Sequence, residues 1–545
     1  MTQTTMANRR DQIFPILTAA EIERMRRFGE VRAFAEGEML ARIGDIGRGL
    51  ALVLSGAIEV VRHDGAHELI VTHVPGGFMG ELAQLAGRPG LLDARATQAG
   101  EALLIPPNRL RALLIAEAEL GERIMRALIL RRVSLLETGA GGPVVIGHAD
   151  DGNVLRIRNF LHQNAYPHQG LDPRTDPEAR ALIERFHLDA DLLPIVLCPD
   201  GEFLRNPSEQ ELAGCLGLLQ PIDPTRVYDV AVVGAGPAGL ATSVYAASEG
   251  LSVLVLDCRG VGGQAGASAR IENYLGFPTG ISGHALMARA YNQAAKFGVE
   301  SAMPDEAVGL EVRDGEAPFV LKLANDERVR ARSVVIACGA RYRRLQVENL
   351  GVFEAASVHY WASPLEASLC AGQEVVLVGA GNSAGQAVVY LASRVAKVWL
   401  LVRGTGLEAS MSRYLVDRIA GLSNVELVTQ AEISRLEGNG GKLEAILWRR
   451  RASVEPVRRS IQHLFLFVGA EPNTSWLSDS GIALDDKGFI LTGPAAGSTR
   501  LLETSRRGIF AIGDVRSGST KRVGAAIGEG AQVVAALHDY LATAP

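Results

Sequence analysis

Residues 228–260 read YDVAVVGAGPAGLATSVYAASEGLSVLVLDCRG. An apolar run at 230–233 leads into Gly234, Gly236, Pro237, Ala238 and Gly239, then a stretch of small residues, then a second apolar run that ends at Asp257. This order predicts strand, tight turn, helix and parallel strand. Gly234 suits the turn, Gly236 lets the main chain approach a pyrophosphate, and Gly239 lets the helix pack on the strand. The free N–H groups and the dipole of the helix N-terminus favour an anion. Asp257, 23 residues after Gly234, is placed to accept hydrogen bonds from a ribose diol.

A second unit of the same kind follows at 373–404, QEVVLVGAGNSAGQAVVYLASRVAKVWLLVRG. Its turn carries Gly379 and Gly381, with Asn382 and Ser383 opening the helix and Ala384 in the third place. Twenty-four residues after Gly379 stands Arg403 rather than an acid. An acid accepts from a free 2′-hydroxyl, whereas an arginine fork donates to a 2′-phosphate. Arg413 is a second candidate for that phosphate. One site thus suits an unphosphorylated ribose and the other NADPH. Two dinucleotides in one chain imply electron transfer, between FAD and NADPH.

Around these units the chain of 545 residues divides into several parts. Residues 1–136 read as short apolar runs broken by glycine, such as ALVLSGAIEVV and ELIVTHVPGG, and predict a β-roll followed by one helix from 109 to 136. Residues 142–219 read as strand PVVIG, helix VLRIRNFLHQN, two strands within DADLLPIVLCPDGEFLR and a helix opening at Pro207, a small α/β sandwich. A linker with two prolines, QPIDPTR, precedes the nucleotide units. Hydrophobic residues make up 47% and charged residues 21%, an ordinary globular balance. The 55 basic and 61 acidic residues leave a net charge of −6, which gives no general attraction for nucleic acid. Five cysteines exclude a disulfide-rich secreted scaffold. No apolar run reaches membrane-spanning length, and the start lacks a signal-peptide core, so a soluble, cytoplasmic protein is expected.

Residues 227–545 resemble the low-molecular-weight thioredoxin reductases, FAD/NADPH flavoproteins of the pyridine nucleotide-disulfide oxidoreductase superfamily. The resemblance rests on GAGPAG (234–239), GGQA (262–265), IENYLGF (271–277), IACGA (336–340), GAGNSA (379–384), FVGAEPNT (467–474) and IFAIGDV (509–515). It implies an FAD domain of two Rossmann-like segments, 227–346 and 465–545, an NADPH domain inserted at 347–464, and a homodimer. It places Gly263, Gln264 and Asn273 beside the flavin, with Gly339 in the same lining. Gly513 and Asp514 fall at the ribitol, and Val523 and Ala525 at the N-terminus of a helix facing the reduced ring. It also implies that the NADPH domain rotates to deliver hydride.

The family's CxxC, which lies just before the second glycine turn, is missing. Trp361 and Pro364 hold those positions within VHYWASPLEASLCAGQ (358–373), and neither forms a disulfide. Thioredoxin reduction by that route is chemically closed. The remaining acceptors are another redox protein such as a ferredoxin, a quinone or oxygen, or a thiol pairing with Cys370. His359 is a candidate proton donor near the flavin, or a core histidine. A redox-sensing regulatory flavoprotein with little turnover is the opposing reading. The second part resembles a thioredoxin or glutaredoxin domain, with Pro194 at the family's cis-proline and no cysteine after its first strand. Cys198 and Cys215 there are expected to be separate, buried and inert. The first part resembles a cyclic-nucleotide-binding domain through GGFMGEL (76–82) and DARA (93–96). Glu81 matches the ribose ligand, but Gly90 or Leu91 replaces the phosphate-binding arginine. Arg88 and Arg95 are neighbours, not matches, so cyclic-nucleotide binding is not expected. No His or Cys spacing indicates a metal.

Overall fold

The computed structural model describes residues 10–543 apart from 63–67, 81–84, 86–88, 139–141, 186–188, 190–191, 200, 220, 314–315, 355 and 452–454. Glu81 and Arg88 therefore lie outside the described residues.

The first part builds a six-stranded antiparallel sheet in which Glu30–Phe34, Asp93–Ile105, Leu50–Arg62 and Glu68–His73 lie in that order, with Met39–Ala41 and Phe78–Met79 added at the sides. Long strands form because Leu50, Leu52, Leu103 and Ile105 alternate onto one buried face while Ala51, Val53 and Ala102 fill the other. The single helix expected at 109–136 is two, Pro107–Ala116 and Ala118–Thr138. Between them Glu117 leaves helical geometry (φ −113°, ψ 81°) and binds Arg24 and Arg27. A tertiary charge contact thus sets the break.

The second part is a four-stranded mixed sheet in the order Phe203–Arg205, Ile195–Leu197, Val144–Ile146, Gln169–Leu171. Val144–Ile146 runs parallel to Gln169–Leu171 and antiparallel to Ile195–Leu197. Helices Gly152–Gln163, Pro177–Arg185 and Glu209–Cys215 accompany it. The last helix is capped by Ser208 with Glu211 reaching back, so Pro207 precedes the cap instead of opening the helix. The Leu193–Pro194 peptide is cis. Cys198 and Cys215 are not inert: a strand end and a helix end bring their Cα atoms to 6.3 Å, and they form a disulfide.

The third part contains a seven-stranded mixed sheet, in which Glu316–Leu323 pairs antiparallel with both its neighbours, and a five-stranded parallel sheet. The first orders Glu300–Ala302, Val253–Leu256, Val227–Val233, Arg328–Ile336, Glu316–Leu323 and Ala307–Arg313, and the late strand Ile509–Ala511 pairs with Arg328–Ile336. Near-continuous Val, Leu and Ile in these strands reflect burial on both faces. The second orders Val358–His359, Leu464–Leu466, Glu374–Val378, Lys397–Leu401 and Val425–Val428, and a three-stranded sheet, Ala431–Asn439, Lys442–Arg450 and Val457–Arg459, follows it. An antiparallel pair, Ala340–Tyr342 with Ala470–Pro472, marks where the chain enters and leaves this inserted unit. The expected boundary at 464/465 therefore cuts a strand that belongs to the inserted sheet. No described helix is long and apolar enough to cross a membrane.

Candidate site between two glycine turns

Gly236 and Gly381 are the N-caps of helices Pro237–Ser248 and Asn382–Ala392, so both glycine turns deliver main chain to a helix N-terminus. The glycines differ in purpose. Gly234 (φ +114°) would set a Cβ 2.3 Å from the Ala337 carbonyl oxygen, and Gly239 would set one 1.8 Å from that of Gly234. These two close the fold on itself. A Cβ on Gly236 would meet nothing nearer than 4.0 Å, and one on Gly381 nothing within 4 Å. The space in front of those two is open, as an approaching pyrophosphate requires.

Asp257 ends its strand and accepts from the backbone N–H groups of Ala235 (2.9 Å), Arg259 (3.0 Å) and Gly260 (3.1 Å). Burial pushes its carboxyl up, against the pull of those three donors and the Arg259 charge. Gly263 opens the short helix Gly263–Gly266, and a Cβ on it would lie 3.3 Å from the Gly236 Cα. Gln264 is tied to the Ala340 carbonyl. Gly339 takes a left-handed φ of +64° and its carbonyl accepts from Asn473 N–H at 3.2 Å. Gly513 donates to Glu529 at 2.7 Å, and Glu529 in turn pairs with Arg516. Burial and the neighbouring Glu529 push the Asp514 carboxyl up while Lys521 pulls it down. Val523 and Ala525 begin the helix Val523–Leu541, whose Gly530 packs against the Ala238 carbonyl. Asn273 is exposed on its loop and lines no described pocket.

One cleft lies between the 264–272 loop of the first unit and the helix Asn382–Ala392 that the second glycine turn opens. This cleft of about 410 Å³ is lined by Gln264, Ser268 and Arg270 from one side and by Ser383, Gln386 and Tyr390 from the other, with Trp361 and Tyr342 between. Tyr342 links the sides: it hydrogen-bonds with Ser383, stands near Asp514, and its hydroxyl is pushed up to about 12 by burial. Arg418 bridges the same gap to Glu272 at 2.8 Å. Asn382 points away, accepting from Ser412 N–H at 2.7 Å. Arg403 is exposed at its strand end, available to a ligand, whereas Arg413 is held by Asp417 at 2.8 Å. Pro364 is exposed and opens the helix Pro364–Leu369. His359 is not in the cleft. It is buried beside His463 and Phe465, and burial lowers its pKa to about 3, so it cannot serve as a proton donor there.

Sequence reasoning missed Tyr342, Glu529 and Glu366. Glu366 was within reach, because Ser363 and Glu366 form the S-x-x-E capping box that the structure shows. No spacing along the chain pointed to a metal, yet the fold gathers His359, Cys370 and His463 in one buried group.

Residues 228–530 match the pyridine nucleotide-disulphide oxidoreductase family, more than half of the chain. The chain belongs to this family. Residues 31–117 match the cyclic nucleotide-binding domain family. The oxidoreductase region is 31% identical over 317 residues to the thioredoxin reductase of Bacillus subtilis, covering 58% of this chain and 95% of that protein. It is 29% identical over 325 residues to an alkyl hydroperoxide reductase component of Escherichia coli, covering 59% of this chain and 60% of that protein. Among solved structures it is similar to the T. acidophilum thioredoxin reductase, at 29% identity and a TM-score of 0.54 over 58% of this chain and all of that one. It is also similar to the Lactococcus lactis enzyme in its FR conformation, at 26% identity and a TM-score of 0.54 over 58% of this chain and 99% of that one. Thioredoxin reductase-like members of the family use FAD and NADPH, and this family member is a flavoprotein oxidoreductase of that type. The open approaches at Gly236 and Gly381, each on a helix N-terminus, fit the two pyrophosphates.

Proposed function

We propose that this flavoprotein takes electrons from NADPH and passes them to an acceptor other than an internal CxxC. The observation that carries this reading is the cleft between the 264–272 loop and the helix Asn382–Ala392, with Trp361 in its wall where a cysteine would serve a dithiol reductase. FAD, when bound, supplies the two-electron chemistry between pyridine nucleotide and acceptor. The chain supplies position and field. Main-chain N–H groups at Gly236 and Gly381 receive the pyrophosphates, Asp257 holds the ribose diol and Arg403 the 2′-phosphate. Asp514 accepts from the ribitol, and the N-terminus of Val523–Leu541 favours negative charge on the ring beside it. Trp361 closes the cleft wall with its indole N–H held by Glu366 at 2.9 Å. A redox protein such as a ferredoxin is the acceptor class proposed first, with quinone or oxygen next, in a homodimer.

The second part is read as a thioredoxin-like module without CxxC. Its strand order and the cis-proline facing the loop after its first strand support this, since a Cβ on Gly147 would sit 3.1 Å from the Pro194 Cβ. Anaerobic stopped-flow mixing with NADPH tests the central reading. Bleaching of the flavin within seconds is expected, followed by reoxidation by one acceptor from a panel of ferredoxin, flavodoxin, quinone, oxygen and thioredoxin. A flavin that stays oxidised for hours would leave only a sensing role, and rapid thioredoxin reduction would overturn the reading of Trp361.

A further inference from the structure

The inserted unit holds a second constellation behind the cleft wall. His359 ends the strand Val358–His359, His463 immediately precedes the neighbouring strand Leu464–Leu466, and Cys370 caps the helix Pro364–Leu369. Their ligand atoms all lie within 4.8 Å of one another, and all three residues are buried. His359 Nε2 and His463 Nδ1 face each other at 3.2 Å. Zinc–nitrogen bonds of about 2.0 Å and a zinc–sulfur bond of about 2.3 Å in a tetrahedron put ligand atoms roughly 3.3–3.7 Å apart. The nitrogens already stand at that spacing, and closing the group around a cation needs the sulfur to approach by no more than about an ångström.

Glu366, one helical turn before Cys370, is a buried carboxylate held by neutral donors. It is 2% exposed, and its carboxylate accepts from Trp361 Nε1 (2.9 Å), Asn159 Nδ2 (3.2 Å), Ser363 N (3.0 Å) and the Ser363 hydroxyl. All four donors are uncharged, and no described Lys or Arg stands within ion-pair distance of it. A buried carboxylate is normally matched by a cation.

We propose that His359, Cys370 and His463 form a zinc(II) site that clasps the segment 359–370 carrying Trp361 into the cleft wall. On binding, two N–Zn bonds and one S–Zn bond form and the thiol proton leaves to solvent. The Cys370 Sγ–H hydrogen bond to the Glu366 carbonyl, 3.1 Å long, is lost. The proton between the imidazoles moves to a far ring nitrogen, and a water takes the fourth position.

The test uses the full-length, flavin-loaded protein incubated with zinc and desalted, with metal counted by mass spectrometry. About one zinc per chain is expected. Cobalt(II) in its place should give ligand-field bands at wavelengths beyond the flavin's absorption. Cys370→Ser should abolish both signals. Because a buried substitution can impair folding, His463→Gln is measured in parallel, and retained flavin with an unchanged circular dichroism spectrum qualifies each variant. Less than about half an equivalent in the wild type, or wild-type loading in a folded variant, would overturn the proposal. Metal content is read without NADPH turnover, so its failure would leave the oxidoreductase reading standing.

Discussion

Replacing Gly236 by alanine separates what the protein needs from what its cofactor needs. The backbone there is extended (φ −77°, ψ −174°), which alanine adopts freely, and the added Cβ meets protein only at 4.0 Å. Restricting the unfolded chain stabilises by about 0.4–1 kcal/mol. Losing a tolerated N-cap glycine costs a similar amount. The apo-protein should therefore keep its stability within about 1 kcal/mol. The bound pyrophosphate should not tolerate the methyl group, because it occupies the approach path. Overpacking of this kind costs about 1–3 kcal/mol, which is roughly 5- to 150-fold in affinity. The assay is deflavination followed by FAD titration, with urea melts of the apo-protein alongside. Gly239→Ala is the contrast: its Cβ would lie 1.8 Å from a carbonyl oxygen, so it should destabilise the apo-protein itself. Wild-type FAD affinity in a stable Gly236→Ala protein would refute the placement of the pyrophosphate.

Gly381→Ala should reproduce this pattern for NADPH, leaving FAD content intact. Arg403→Gln should weaken NADPH by about 1.5–3 kcal/mol, the worth of a charge-assisted contact, or roughly 10- to 150-fold, while NADH binding stays unchanged in the same titration. Peptide mapping without reductant should recover a Cys198–Cys215 cross-link, and Cys215→Ser should lower stability by about 3 kcal/mol, as expected for a loop closed over 17 residues. The tilted ring pair His162 and His284, with centroids 4.5 Å apart, joins the second part to the FAD-side unit. Burial lowers both pKa values, that of His284 to about 4, while Glu366 draws His162 back up. The separated or unfolded state thus binds more protons below about pH 6.5. Stability should be full above that pH and fall as the pH drops from there towards 4, read from thermal melts across the range.

The nucleotide turns were legible because each is a local device. Strand, glycine turn, helix and terminal acid or arginine lie within one short stretch, and their geometry follows from residues that are neighbours in sequence. What was illegible depends on distant partners. The helix break at Glu117 is set by Arg24 and Arg27, nearly a hundred residues earlier. The run HLFLFVGAEPNT reads equally well as the end of the inserted sheet or as the returning FAD segment, and only its pairing with Val358–His359 and Glu374–Val378 decides. Gln169–Leu171 is too short and polar to announce a strand. Cys198 finds Cys215, and His359 finds His463, only through the way the elements pack.

The packing of the second part also bears on how the nucleotide units move. It touches the FAD-side unit through Glu209 with Arg259 at 2.7 Å, Asn164 with the Arg259 carbonyl at 2.9 Å, and His162 with His284. It touches the inserted unit through Asn159 with Glu366 and Asp150 with Lys442. Asp150 and Lys442 are both exposed, so their pair contributes about 0–1 kcal/mol. The hydrogen bond from Asn159 to the buried Glu366 contributes about 1–3 kcal/mol. These two contacts together contribute about 1–4 kcal/mol. Two-dinucleotide chemistry asks the inserted unit to present NADPH and then withdraw, and a restraint of that size lies within the binding energy of a nucleotide. Any such withdrawal must break both the Asn159–Glu366 and the Asp150–Lys442 contacts, the first of them one bond away from the Trp361 indole.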